Sequence, residues 1–213
     1  MSHTLHRRGT AENLSNDYVV LAMSAKGINE EGSAAKLREF LRLARRHNPV
    51  NMGDMRTGNM YQVDVEEIIA RVRDTSIVHA VFTDIEAVTE FLREVKEAEL
   101  GMSVVVSGLF EPVRECCRRI GMRPAPHSVE HSLGIWGRTE RLPEERVLEI
   151  ATMCGHGMVS FNLVREAIED VREGRVTPKE AALRLTLPCV CGVFNPVRAA
   201  QLLEALTAGT SKP

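Results

Sequence analysis

The chain has 213 residues, of which 44% are hydrophobic and 26% charged, and its formal net charge is −2. This length suits one large domain or two small ones, and the composition is typical of a globular protein. The charge gives no long-range attraction to nucleic acid or to an anionic membrane, and an aromatic content of 4% argues against base-stacking platforms. Because no apolar run matches a signal peptide or a membrane span, we expect a cytoplasmic protein.

The first part of the chain alternates short apolar runs with segments of helical spacing. We expect residues 1–16 to form a disordered lead-in. Apolar runs of strand length predict strands, and helical spacing or capping residues predict helices between them. This alternation favours an α/β fold over residues 17–140, in which helices cover a sheet of roughly four strands. The predicted strands are 18–23, 77–82, 102–106 and 127–136.

The stretch 49–62 shows no apolar period and is rich in Met, Gly, Asn and Asp. A long irregular segment inside a compact domain is uncommon and often covers a functional site. The alternative is a surface loop with a short helical turn. We interpret the stretch as a loop and leave open whether it covers a site.

Residues 141–213 have a helical pattern. Thr177 and Glu180 have the spacing of a capping box, in which each side chain accepts a hydrogen bond from the other residue's backbone N–H. Asn162 and Asn195 are of the residue type that caps helix N-termini. We therefore expect a helical C-terminal part that contains the Cys and His residues discussed next.

One phrase occurs twice in this helical part. Residues 161–167 and 194–200 both read Phe-Asn-x-Val-Arg-x-Ala, with five of seven positions identical, and a Cys-Gly pair precedes each copy. Each copy predicts a Cys-Gly turn that leads into a helix N-terminus. The positive end of a helix dipole stabilises thiolates and other anions. We therefore expect the two helix N-termini to converge on one cysteine-centred site, with Phe161 and Phe194 in equivalent positions.

The candidate metal ligands are Cys154, His156, Cys189 and Cys191, which form one Cys-x-His pair and one Cys-x-Cys pair. Three thiolates and an imidazole suit a tetrahedral metal ion or an iron–sulfur cluster. We expect an iron–sulfur cluster, because two helix N-termini suit an anionic, thiolate-rich group, and zinc is the alternative. A third interpretation is that these are buried thiols at helix starts, since free Cys is often buried.

Two arginines and two histidines complete the candidate site. If the asparagines cap their helices, Arg165 and Arg198 stand in a first turn, where a cation opposes the helix dipole. Either an anionic substrate or a neighbouring carboxylate must compensate each arginine. His127 and His131 are four residues apart and share one face of a strand or a helix, so their imidazoles could converge on a metal or serve as an acid and a base, and we nominate them for the second role. The alternative is a pair of partly exposed or hydrogen-bonded histidines.

These patterns predict a Cys/His-ligated metal or iron–sulfur site that performs redox or Lewis-acid chemistry on a small anionic molecule. The expected partner is that substrate or a redox partner, without nucleic acid or membrane, and a homo-oligomer stays open. One alternative is a non-catalytic binding or assembly module stapled by zinc. The other is a metal-free enzyme that uses Cys154 or Cys191 as a thiolate. The sequence leaves both an enzyme and a binding module open.

Overall fold

The computed structural model describes residues 7–126 and 136–207. The predicted strand 127–136, except for its last residue, lies outside this range. The strands are β1 (Tyr18–Met23), β2 (Asn51–Asp54), β3 (Gly58–Asn59), β4 (Ile77–Phe82) and β5 (Ser103–Ser107). The helices of the first half are α1 (Ala11–Leu14), α2 (Ser33–Arg46), α3 (Val65–Arg71), α4 (Ile85–Glu97) and α5 (Phe110–Arg119). Those of the second half are α6 (Glu145–Ala151), α7 (Phe161–Arg172), α8 (Pro178–Thr186) and α9 (Pro196–Thr207), after a short 3-10 turn at Thr139–Arg141.

The strands form one antiparallel sheet in the order β3-β2-β4-β1-β5. Because β1 and β2 are both antiparallel to β4, they run parallel to each other with β4 between them, and α2 connects them. In the same way β4 and β5 run parallel with β1 between them, and α4 connects them. Two interlocked split β-α-β units of this kind define a ferredoxin-like arrangement. The predicted α/β fold with a helical C-terminal part is confirmed.

Both faces of the sheet are covered by helices. In β1, Tyr18, Val20 and Ala22 face a core built with α2, α3, α4 and α5. Val19 of β1 and Val81 of β4 face a second core, built with α6 to α9. Burial on both faces explains why β1 and β4 read as continuous apolar runs rather than as alternating ones.

The predicted loop over 49–62 is wrong where β2 and β3 form, so the sheet has five strands in the described part of the chain rather than roughly four. Its residues lack an apolar period because several buried side chains in it are polar. Asn51, Asp54 and Asn59 are almost completely buried. Asp54 keeps hydrogen-bond partners although it is buried, because it accepts bonds from the Thr57 and Ser76 hydroxyls, both 3.1 Å away.

Of the three caps predicted in the helical part, Asn162, Thr177 and Asn195, the one in the first copy of the repeat is wrong. The cap of α7 is Ser160, whose hydroxyl accepts a bond from the N–H of Leu163, and the predicted cap Asn162 lies inside the first turn. In the second copy, Asn195 precedes α9 and accepts a bond of 3.0 Å from the N–H of Arg198. The two copies therefore differ by two residues in register relative to their caps. Thr177, with its capping box to Glu180, is confirmed as the cap of α8.

Among the residues that the structure describes, there is no helix with both the length and the apolarity needed to cross a membrane.

Candidate thiol site

The four predicted ligand residues lie together between the helical layer and the sheet. The Sγ atoms of Cys189 and Cys191 are 3.9 Å apart, and Cys154 is hydrogen-bonded to Cys189. Nδ1 of His156 is 3.7 Å from Sγ of Cys191. The three cysteines are buried, whereas His156 is exposed on the turn between α6 and α7. The predicted proximity of these residues is confirmed, and their role as ligands stays a prediction.

The turn that carries Cys189 and Cys191 rests directly on the backbone of β2. Gly192 has a φ of +78°, and a Cβ at this position would lie 2.7 Å from the carbonyl carbon of Met52 and 2.8 Å from the nitrogen of Gly53. Only glycine combines this conformation with this close approach. The Cys-Gly pair of the second copy therefore fixes the thiols against the sheet.

Amide side chains of β2 and β3 donate hydrogen bonds from the sheet to the backbone of the same turn and the residues beside it. Asn51 donates a hydrogen bond of 2.8 Å to the carbonyl of Phe194. Asn59 donates to the carbonyl of Cys189 at 2.9 Å and to that of Thr186 at 3.2 Å. The sequence analysis did not predict these hydrogen bonds. The available signal was the presence of asparagines in a stretch without the periodicity of a surface element, since such residues can be buried and hydrogen-bonded. The stretch 49–62 thus supports the thiol site from inside the fold.

Backbone N–H groups converge on all three sulfurs, and each donated hydrogen bond favours the thiolate. These groups come from the residues just before α7 and just before α9, so both turns of the repeat serve one cluster. Cys154 receives them from Met158 and Val159, Cys189 from Phe194, and Cys191 from Val193.

The three thiols differ in acidity because they form a hydrogen-bonded chain. The hydrogen bond to Cys189 raises the pKa of Cys154, and burial raises it further. For Cys189, the hydrogen bond from Cys154 lowers the pKa, but its own bond to Cys191 and its burial outweigh this and raise the pKa to about 12. The hydrogen bond from Cys189 lowers the pKa of Cys191 below its ordinary value, against the effect of burial. Cys191 is therefore the first thiol of the cluster to ionise.

The predicted anion-binding arginines have carboxylate partners within the chain. The Arg198 side chain is completely buried, and its Nη1 donates to Asp17 at 3.0 Å while its Nε donates to Asn13 at 3.2 Å. Arg165 is about half exposed, with its Nη2 3.6 Å from the Glu144 carboxylate. The compensating groups of both arginines are thus carboxylates of the protein itself. Arg198 has no exposed side-chain atom with which to bind a molecule from solvent.

Part of the predicted lead-in is packed against the thiol site. Of residues 1–16, the structure describes 7–16, which include α1. The Arg7 side chain is only 6% exposed and bonds to Asp17 and to the carbonyls of Met153 and Val193. No local pattern marks Arg7, because its partners are distant in the sequence.

Two further predictions have different outcomes. His127 and His131 lie outside the described residues, so their nomination stays a prediction. The expected equivalence of Phe161 and Phe194 is wrong, because Phe194 is fully buried whereas Phe161 is 40% exposed. The shifted caps explain the difference, since Phe161 begins α7 and Phe194 precedes the cap of α9.

A cavity of about 360 Å³ opens beside Cys154, between the end of α6 and the start of α7. Its lining includes Val159, Ser160 and Phe161, and none of the described residues that line it carries a charge. A larger cavity of about 660 Å³ runs along β5 and α5, and its lining includes Cys117 but none of Cys154, Cys189 and Cys191. The smaller cavity is therefore the one relevant to the thiol chemistry.

Within residues 7–126 and 136–207, no group of three or more His, Cys, Asp or Glu side chains is already arranged to hold a metal ion. The thiols form a chain rather than the corners of a closed polyhedron. Comparisons with protein-family models, with curated proteins and with solved structures found no match. The function must therefore be argued from the site itself.

Proposed function

We propose that Cys154, His156, Cys189 and Cys191 bind a soft metal ion or an iron–sulfur cluster, and that the site acts on a small molecule by redox or Lewis-acid chemistry. The separations within the cluster carry this proposal. Two sulfurs bound tetrahedrally at about 2.3 Å from one zinc ion are about 3.8 Å apart, and a sulfur and an imidazole nitrogen are about 3.6 Å apart. The corresponding distances here are 3.9 Å and 3.7 Å.

The surroundings of the sulfurs support the same proposal. Thiols must lose their protons to bind a metal, and backbone N–H groups aimed at the sulfurs reduce the free-energy cost of that loss. To complete the ligand set, the four side chains would have to move around a common centre, because no described group of three or more such residues is arranged to hold a metal ion here. Gly155 and Gly157 flank His156 on an exposed turn, which gives the imidazole the freedom to make this movement.

The cavity beside Cys154 favours a reactive site over a closed structural staple. Structural metal sites have all their positions filled by protein, whereas catalytic sites keep one side open. The uncharged lining favours a small neutral molecule over the anionic substrate expected from the sequence. When bound, the metal group would polarise such a molecule or exchange an electron with it, while the buried thiols exclude water from one side.

Metal analysis of protein purified without oxygen tests the proposal. We expect bound zinc or iron, and thiolate-to-metal charge-transfer absorption when Co²⁺ is added to the metal-free protein. The variant Cys191→Ser should lose both signals. Cys117→Ser is the matched control, because Cys117 is a half-buried thiol on α5, outside the cluster. Absence of metal, together with Co²⁺ spectra that are the same for wild type and Cys191→Ser, would refute metal binding.

A second candidate is a metal-free thiolate site centred on Cys191. The lowered pKa of Cys191 and the imidazole of His156 at 3.7 Å favour it. In this case Cys154 and Cys189 keep the protons that stabilise the single thiolate. Alkylation followed by mass spectrometry separates the candidates: in the metal-free case Cys191 reacts at a lower pH than Cys154 and Cys189 do, whether or not Co²⁺ is present. Protection of Cys191 by Co²⁺ would instead support the metal site.

A further inference from the structure

We propose that the larger cavity, which runs along β5 and α5, binds an aliphatic carboxylate, that is, a small molecule with an apolar chain and one anionic group. The cavity is separate from the thiol site, because none of Cys154, Cys189 and Cys191 lines it. Its volume of about 660 Å³ is typical of small-molecule sites, which measure about 300–1,000 Å³ and are mostly apolar with a few polar groups.

The cavity extends along the outer edge of β5. Its lining includes Val104 to Ser107 in succession, although alternate side chains of a strand point to opposite faces of the sheet. A cavity bordered by all of them must therefore lie along the strand edge opposite β1, which pairs with the other edge. Because β5 has five residues, this edge is about 17 Å long, and it suits an elongated ligand.

The walls of the cavity beside this edge are aliphatic. Leu92 and Val95 come from α4, Val113 comes from α5, and Val104 and Val106 of β5 pack against the same core. Burial of one CH₂ group among such side chains strengthens binding about fourfold. The walls therefore favour a ligand with an extended aliphatic chain.

The charges around the cavity favour an anionic group on that ligand. The described lining carries four cations and two carboxylates, a local excess of positive charge, whereas the whole chain has a formal net charge of −2. The cations are Arg7, Lys96, Arg114 and Arg123, and the carboxylates are Asp17 and Glu99. A ligand that carries a carboxylate complements this excess.

Arg123 is the arginine of the lining that is available to such a ligand. Arg7 is bound to Asp17, and Arg114 is paired with Glu111 at 2.8 Å. Arg123 is exposed and has no carboxylate partner within residues 7–126 and 136–207. Its guanidinium can therefore bind the carboxylate of a ligand without breaking an ion pair of the protein.

Two lysines lie at the same end of the cavity as Arg123. The Lys96 ammonium donates a hydrogen bond of 2.7 Å to the carbonyl at the C-terminal end of α5, shortly before Arg123 in the chain. The Lys36 ammonium is close to Gly101, since a Cβ at Gly101 would lie 3.7 Å from its Nζ. These cations outnumber the carboxylate of Glu99 nearby. The carboxylate of the ligand thus binds at this end, and its aliphatic chain extends along β5.

Isothermal titration calorimetry of the full chain with decanoate, octanoate and hexanoate, each below its micelle concentration, tests the length of the chain. We expect one saturable site and an affinity that falls about fourfold for each CH₂ group removed. Decanol should bind more weakly than decanoate. Equal affinity for decanol and decanoate, or an affinity independent of chain length, would overturn the inference.

Two arginine variants test the anionic group. Arg123→Gln should weaken decanoate binding about threefold to fivefold and leave decanol binding unchanged, because it removes an exposed cation without a carboxylate partner. Arg114→Gln is the matched control, since Arg114 lines the same cavity but is paired with Glu111. This control should bind decanoate as the wild type does. Equal losses in the two variants would contradict the assigned position of the carboxylate and overturn the inference.

The half-buried thiol of Cys117, which belongs to the lining, reports where the ligand binds. Decanoate should block labelling of Cys117 by N-ethylmaleimide, read by mass spectrometry, at the concentrations that saturate the calorimetric site. Absence of saturable binding, or binding that leaves Cys117 reactive, would overturn the inference. A dimeric chain in which Cys117 is already protected without decanoate would also overturn it, and would assign the cavity to a second copy. None of these results depends on metal binding by the thiol site.

Discussion

Replacement of Gly192 by alanine should displace the thiol turn from the sheet. At a φ of +78°, an L-residue costs about 1–2 kcal/mol. The new Cβ would also lie 2.7 Å and 2.9 Å from the carbonyl carbon and oxygen of Met52, and 2.8 Å from the nitrogen of Gly53. These are backbone atoms of a buried strand, which cannot rotate away, and overpacking of this kind costs about 1–3 kcal/mol. We expect a total loss of about 2–5 kcal/mol in the free energy of unfolding.

Gly157→Ala is the matched control for this prediction. Gly157 has a nearly identical φ of +71°, but a Cβ there meets no atom within 4 Å. The control should lose only the backbone contribution, about 1–2 kcal/mol. Urea unfolding of the reduced protein, followed by circular dichroism, measures both variants. Equal losses would show that contact with β2 contributes nothing and would refute the argument that this strand positions the thiols.

The remaining predictions concern charge. Arg198→Met should lower the free energy of unfolding by about 3 kcal/mol, because it removes one partner of a buried ion pair with Asp17. Arg165→Met, which breaks the exposed pair with Glu144, should cost less than about 1 kcal/mol, and similar losses in urea unfolding would contradict both assignments. Since folding raises the pKa of Cys189 from 9.0 to about 12, its contribution to stability is complete below pH 9 and is lost as the pH rises to about 12. The free energy of unfolding should therefore fall over this interval, and Cys189→Ala should make the decline shallower; an unchanged slope would argue against the raised pKa.

The sequence predicts those elements whose side chains all have the same kind of surroundings. β1 and β4 are apolar on both faces, so continuous runs such as 18–23 reveal them. β2 escapes prediction because Asn51 and Asp54 are polar yet buried, and each has a hydrogen-bond partner far away in the sequence, Phe194 for Asn51 and Ser76 for Asp54. A propensity rule assigns such residues to loops because it takes no account of hydrogen-bond partners from other parts of the fold.

In the candidate site, too, the residues with a local sequence pattern can be predicted and those defined by distant contacts cannot. The cysteines are recognisable because each pair lies within three residues and beside glycine. The cap of α7 cannot be recognised in the same way, because Ser160 and Asn162 are both good caps and the packing of the turn decides between them. Arg7 is beyond local rules altogether, since its carbonyl partners are 146 and 186 positions away.

The covering of the sheet by two helical layers has a consequence for synthesis on the ribosome. The buried residues of the core on one face all precede residue 121, whereas the other core extends to Leu203. A nascent chain can therefore bury one face early, while the opposite face waits for α9. During that interval Cys154 has neither its sulfur partners nor the closing turn of Gly192. Cys154 is thus most accessible, to metal and to oxidants alike, before α9 leaves the ribosome.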